Sequence, residues 1–173
     1  VLALSALALH KEGPPPGHTG GFGEPTCRTC HFDGPAEDSL GMLTLGAPER
    51  YAPGASYEIV VALRRPEMRA AGFQLSARYA SGPQAGRQAG ALSATDERAR
   101  VELSREIQYA GHTEQGTAAA GDSARWVVTW VAPASAGAPV VFHVAANAAN
   151  GDDSALADYI VLGHRESTPG RRD

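Results

Sequence analysis

From Tyr51 onward the apolar residues of this chain recur at every second position, and no stretch keeps a helical period with caps at its ends. Tyr57, Ile59, Val61 and Leu63 alternate with Glu58, Val60 and Ala62, after the turn signal Pro53-Gly54. Phe73, Leu75 and Ala77 repeat the pattern after Gly72, and Val101 with Leu103 and Ile107 to Tyr109 give two shorter runs. Trp126 to Val131 reads WVVTWV, with both tryptophans on one face and Val127, Thr129 and Val131 on the other. VVFHVAA, from Val140 to Ala146, and the run Tyr159 to Leu162 complete the series. Such strands, at intervals of roughly ten to twenty residues with turn clusters between, specify an all-β chain folded as an antiparallel β-sandwich.

The 173 residues suit one domain with a core of its own. Lys and Arg number 15 against 19 Asp and Glu, a formal charge of −4, without the basic surplus that phosphate-driven nucleic-acid binding needs. No apolar run approaches the ~20 residues of a membrane-spanning helix. No Ser-His-Asp order, paired-carboxylate signature or phosphate loop is present, so hydrolase and transferase chemistry are not expected and the chain is not expected to be an enzyme.

The first nine residues, VLALSALAL, resemble the apolar part of an export signal without its charged start, and equally an N-terminal arm that packs on the domain or a partner. Through them, residues 1–10 offer the chain proximity to a membrane. The division expected is an apolar arm with a Pro/Gly linker over 1–16, a cofactor-attachment segment over 17–50, the sandwich over 51–163 and a flexible tail over 164–173. The tail carries three arginines, a proline and no apolar residue. Residues 11–26, KEGPPPGHTGGFGEPT, hold too many breakers for helix or strand.

That loop leads into the only two cysteines, Cys27 and Cys30, with His31 immediately after. Cys-Arg-Thr-Cys-His is C-x-x-C-H, the attachment sequence of c-type haem. Two thiols at this spacing reach the two vinyl groups on one porphyrin edge, and the adjacent histidine folds beneath the ring to meet the iron. A thioredoxin-type pair belongs at the start of a helix in a βαβ unit, which the Gly/Pro flanks do not provide. A zinc site wants a second ligand pair, and neither another C-x-x-C nor the spacing of His10 to His18 supplies one. A simple surface disulfide is the remaining alternative. With haem attached, His31 is the proximal ligand. The sixth position then draws on His10, His18, His112, His143, His164, Met42 and Met68. His112, on a polar stretch beside Gly111, is favoured because a loop histidine next to glycine can approach a ring plane closely.

Several segments together resemble bacterial reelin-like (Reeler) secreted domains, also called choice-of-anchor domains of the V type. They are GHTGGFGEPTCRTCHFDG, YAPGASYEIVVAL, AGFQLSA, YAGHT, WVVTWVAP and VVFHVAANAANGDDSALADYI, in the family's order over about residues 17–162. The resemblance implies an immunoglobulin-like β-sandwich, exported to the periplasm or cell surface of a bacterium, with one covalent haem c on an irregular N-terminal segment. It places a histidine at His112 as the distal ligand, so that Cys27, Cys30, His31 and His112 bind the cofactor, with His31 and His112 on the metal. The family's C-terminal anchoring segment is not matched after Ile160. In NAANGDDS and beyond, Asp152, Asp153 and Asp158 offer oxygens suited to calcium, although turn chemistry from Asn and Gly is the favoured reading.

The function expected is one-electron transfer by a monohaem c-type cytochrome, a subunit of a larger redox assembly with redox partner proteins. The alternative is an extracellular binding or adhesion module in which haem is structural or absent. A peroxidase or gas sensor is a weaker third reading, because it needs an open sixth position.

Overall fold

The computed structural model describes residues 11–34, 39–135 and 137–170. His10 and the apolar arm before it lie outside the described residues. Among the described residues ten strands form two sheets: β1 Met42–Gly46, β2 Arg50–Tyr51, β3 Ser56–Arg64, β4 Ala70–Tyr79, β5 Ala91–Ala94, β6 Ala99–Ser104, β7 Ile107–His112, β8 Ser123–Val131, β9 Val140–Ala149 and β10 Tyr159–Pro169. One sheet has the order β1-β3-β8-β5, the other β2-β10-β9-β4-β7-β6. All pairings are antiparallel except the short contact of β2 with β10.

The core between the sheets is made by the alternation visible in the sequence. Ile59, Val61 and Leu63 of β3 and Val128 and Trp130 of β8 face Phe73 and Leu75 of β4 and Phe142 and Val144 of β9, all at most 1% exposed. Trp126 stacks at a tilt on Phe73 with ring centroids 4.7 Å apart, and Trp130 meets Phe142 edge-on at 4.9 Å. Burial leaves neither indole N–H unpaired: Trp126 donates to the Gly116 carbonyl and Trp130 to that of Ala89, each at 2.9 Å.

Two boundaries differ from expectation. The sandwich takes its first two strands from before residue 51, where the runs are too short to read as strands. The segment expected as a flexible tail from His164 is strand through Pro169, paired with β9 from Ser167 to Tyr159. Along it the exposed Leu162, His164 and Glu166 alternate with the half-buried Val161, Gly163 and Arg165.

β4 and β9 are covered on both faces. Gln74, Ser76 and Arg78 alternate with the core residues of β4, yet none is more than 5% exposed. The cover is the Gly/Pro-rich segment 11–31, a strap laid across the outer face of the six-stranded sheet.

Candidate functional site

Hydrogen bonds, not apolar packing, hold the strap. The Gln74 side chain accepts from the His18 amide at 2.6 Å and donates to the Pro15 carbonyl at 2.9 Å. Glu24 forms an ion pair with Arg78, accepts from the Tyr109 hydroxyl at 2.5 Å and accepts from the Thr19 hydroxyl at 2.5 Å. Arg78 also donates to the Tyr109 oxygen at 2.7 Å. A buried carboxylate is tolerable here because three donors and a guanidinium meet it. Further along, Gly21 lies on the ring of His143, where a Cβ would stand 2.5 Å from Cγ, and Phe22 meets that ring edge-on at 5.4 Å.

The strap delivers the motif to a 3-10 turn over Cys27–Thr29, capped by the Thr26 hydroxyl accepting from the Arg28 amide. The Cys27 carbonyl accepts from the amides of Cys30 and His31, at 3.2 and 3.0 Å. Both cysteines are free and half-buried. Burial pushes the Cys27 thiol up to about 12, with the neighbouring Cys30 a smaller contribution in the same direction. A redox-active cysteine needs a lowered value, so Cys27 is a poor thiolate nucleophile.

Cys27, Cys30, His31 and His112 line one partly open cavity of about 380 Å³, together with His18 and the small residues Ala70 and Gly72. The volume is at the low end of the ~300–1,000 Å³ typical of cofactor pockets. The His31 Nδ1 lies 2.6 Å from the Asp158 carboxylate, which puts the ring proton on Nδ1 and the lone pair on Nε2, 3.5 Å from the Asn147 side-chain nitrogen. The Asn147 side-chain nitrogen donates to the same carboxylate oxygen at 3.1 Å, and the Asn147 carbonyl oxygen is buried with no partner among the described residues.

His112 ends β7, 9% exposed, with its ring against Gly72: a Cβ there would stand 2.5 Å from Cε1. Its Nδ1 accepts from the Phe73 amide at 3.1 Å and lies 3.4 Å from the Phe73 carbonyl. Metal ligation through Nε2 therefore needs the ring proton on Nδ1, directed to that carbonyl. His18 already has this form, since its Nδ1 donates to the Pro15 carbonyl at 2.9 Å.

The other sequence candidates lie elsewhere. His143, beneath the strap, is the cross-strand partner of the exposed His164, and burial lowers the His143 pKa, with His164 and Arg78 adding to the effect. Met68 is core at 4% exposed, and Met42 is 64% exposed beside a second, smaller hollow. Phe22 and Tyr109 belong to the strap seam, whereas Trp126 and Trp130 are core. The three aspartates read for calcium diverge: Asp158 turns to His31, Asp152 accepts from the Ser154 amide at 2.8 Å, and Asp153 pairs with Lys11 at 2.6 Å. No group of three or more His, Cys, Asp or Glu suited to one metal ion occurs among the described residues.

Asn147 and Gly72 were missed in the sequence, and Asp158 was read for calcium. Nothing local marks them, because their roles come from segments more than a hundred residues apart (His31 with Asp158) or from a ring pressed on a glycine.

No family model and no curated protein matches the chain. Among solved structures it is similar to the reeler domain of human F-spondin, at 18% identity and TM-score 0.48, covering 83% of this chain and 91% of that one. A cohesin module from a Clostridium perfringens family 33 glycoside hydrolase matches at 12% identity and TM-score 0.51, over 77% of this chain and 100% of that one. A DUF4466 family protein from Parabacteroides merdae matches at 15% and 0.40, over 70% of this chain and 42% of that one. The cohesin likeness shows a shared β-sandwich fold and nothing further. Among the described residues no helix is long and apolar enough to cross a membrane.

Proposed function

We propose that the chain is an exported monohaem c-type cytochrome that carries single electrons as a subunit of a larger redox assembly. The observation that supports this most is the shared cavity: both cysteines of the C-x-x-C-H motif, its histidine and His112, from the far end of β7, all line it. The donor set fits the group. The Cys27 thiol, kept protonated by burial, suits thioether formation, and an imidazole with its Nδ1 engaged presents Nε2 as a ligand.

In this reading Cys27 and Cys30 would hold haem c covalently and His31 and His112 would ligate its iron, with His18, which lines the same cavity, the competitor of His112. Bound there, haem supplies a one-electron couple, and two histidine ligands keep its potential below that of a His/Met pair. Gly72 leaves room for the His112 ring at the cavity's edge. Arg69, which also lines the cavity, would complement a propionate, whereas Lys11 there is paired with Asp153. Phe32, next to His31 and 57% exposed, gives a redox partner an apolar contact beside the cofactor. Covalent attachment in bacteria takes place outside the cytoplasm, which makes the periplasm or cell surface the compartment.

The test is the visible spectrum of protein produced with the c-type maturation machinery. A sharp α-band that survives acid-acetone extraction supports the reading. A colourless protein with full β-sheet circular dichroism overturns it and leaves a binding or adhesion sandwich.

A further inference from the structure

We propose that Asp158 is a positioning residue for His31: its carboxylate accepts the hydrogen bond of Nδ1–H, fixes the tautomer that carries the lone pair on Nε2, and lends the ring negative character. Its effect on iron rests on the haem reading above, whereas the tautomer does not.

Asp158 is 1% exposed, and its Oδ2 is 2.6 Å from His31 Nδ1. Two further donors hold the carboxylate in place. Asn147 donates to Oδ2 at 3.1 Å, and the Asn150 amide donates to Oδ1 at 3.3 Å. The chain following His31 is clamped onto the same loop. The Asp33 carboxylate accepts from the Ala157 amide at 2.8 Å, and Gly34 lies so close that a Cβ would stand 2.1 Å from the Asp158 carbonyl oxygen. The β9–β10 loop and the end of the motif therefore meet on both sides of the histidine, so the pair is built and not a chance surface contact.

A buried anion hydrogen-bonded to an axial imidazole increases electron donation to the metal and favours its higher charge state. Asp158 therefore holds the potential down. A backbone carbonyl could fix the same tautomer, but it would add no charge. The carboxylate thus sets the potential as well as the orientation.

Three measurements test this. Nitrogen-15 imidazole spectra of the apoprotein should show His31 with its proton on Nδ1, and Asp158→Ala should move population to the Nε2 form. In the haem-loaded protein, Asp158→Asn keeps an acceptor oxygen and removes the charge. It should shift the reduction equilibrium at least tenfold toward the reduced form, a rise of about 59 mV for one electron. A wild-type His31 protonated on Nε2 overturns the proposal. So does an Asp158→Asn protein with lowered stability, an unchanged spectrum and an unmoved midpoint, which would mark Asp158 as merely structural. Should Asp158→Ala not fold, the wild-type tautomer and the Asn variant still decide. If the wild type acquires no haem, the cytochrome reading fails, and the apoprotein tautomer alone decides whether Asp158 orients His31.

Discussion

The two faces of β4 are both buried, but by different chemistry. Inward, Phe73, Leu75 and Ala77 pack against the tryptophans of β8; outward, Gln74, Ser76 and Arg78 are sealed beneath the strap by paired polar groups. The inner face gains stability from apolar area, which tolerates small shifts in geometry. The outer face gains position: hydrogen bonds and one ion pair fix where the strap lies, and so where Cys27, Cys30 and His31 stand. The fold therefore rests on one face of the sheet and the site on the other.

If that division is right, damage to each face should have its own signature. Trp130→Ala removes a fully buried ring from the inner face and should cost about 3–5 kcal/mol, seen as a lower denaturant midpoint for the whole domain. Arg78→Met strands the Glu24 carboxylate, with side-chain exposures of 7% and 14% for the pair, and should cost about 3 kcal/mol. Hydrogen exchange should then rise across residues 17–31 while β3 and β8 stay protected. Equal loss of protection in both sheets would break the comparison.

Smaller effects sharpen it. Gly72→Ala drives a methyl into the His112 ring and should cost about 1–3 kcal/mol. In the haem-loaded protein it should also perturb the low-spin spectrum. His112→Ala should turn that spectrum high-spin and His18→Ala should not; the reverse pattern would assign the sixth position to His18. Acidification should act through His143, whose folded-state pKa is lowered chiefly by burial. The unfolded chain then binds the extra proton first, so the stabilisation is complete above about 6.5 and declines as pH falls below it. His143→Phe should flatten that decline in a pH series of denaturant midpoints.

The inner face was legible in the sequence because alternation alone determines it: Tyr57 to Leu63, Phe73 to Ala77 and WVVTWV are all strand, with Ile59, Val61, Leu63, Phe73, Leu75, Trp126, Val128 and Trp130 inward. Short strands escaped, since β2 has two residues and β5 reads only ALSA. The outer face misleads by the same rule. Gln74, Ser76 and Arg78 carry a solvent-facing pattern, and only the fold brings a Gly/Pro-rich segment down over them. C-x-x-C-H could be read from spacing, because thioether chemistry needs adjacent thiols. Asp158, 127 residues from His31, could not, because chain topology makes that contact.

The central claim is that the cavity beneath the strap holds a cofactor bonded to both cysteines. Intact-mass spectrometry of denatured protein, produced with the c-type maturation machinery, tests it most directly. The account predicts a wild-type mass raised by one haem, and the bare polypeptide mass for a variant lacking both thiols. A wild type at the bare polypeptide mass, folded and with Cys27 and Cys30 free or joined to each other, would contradict it.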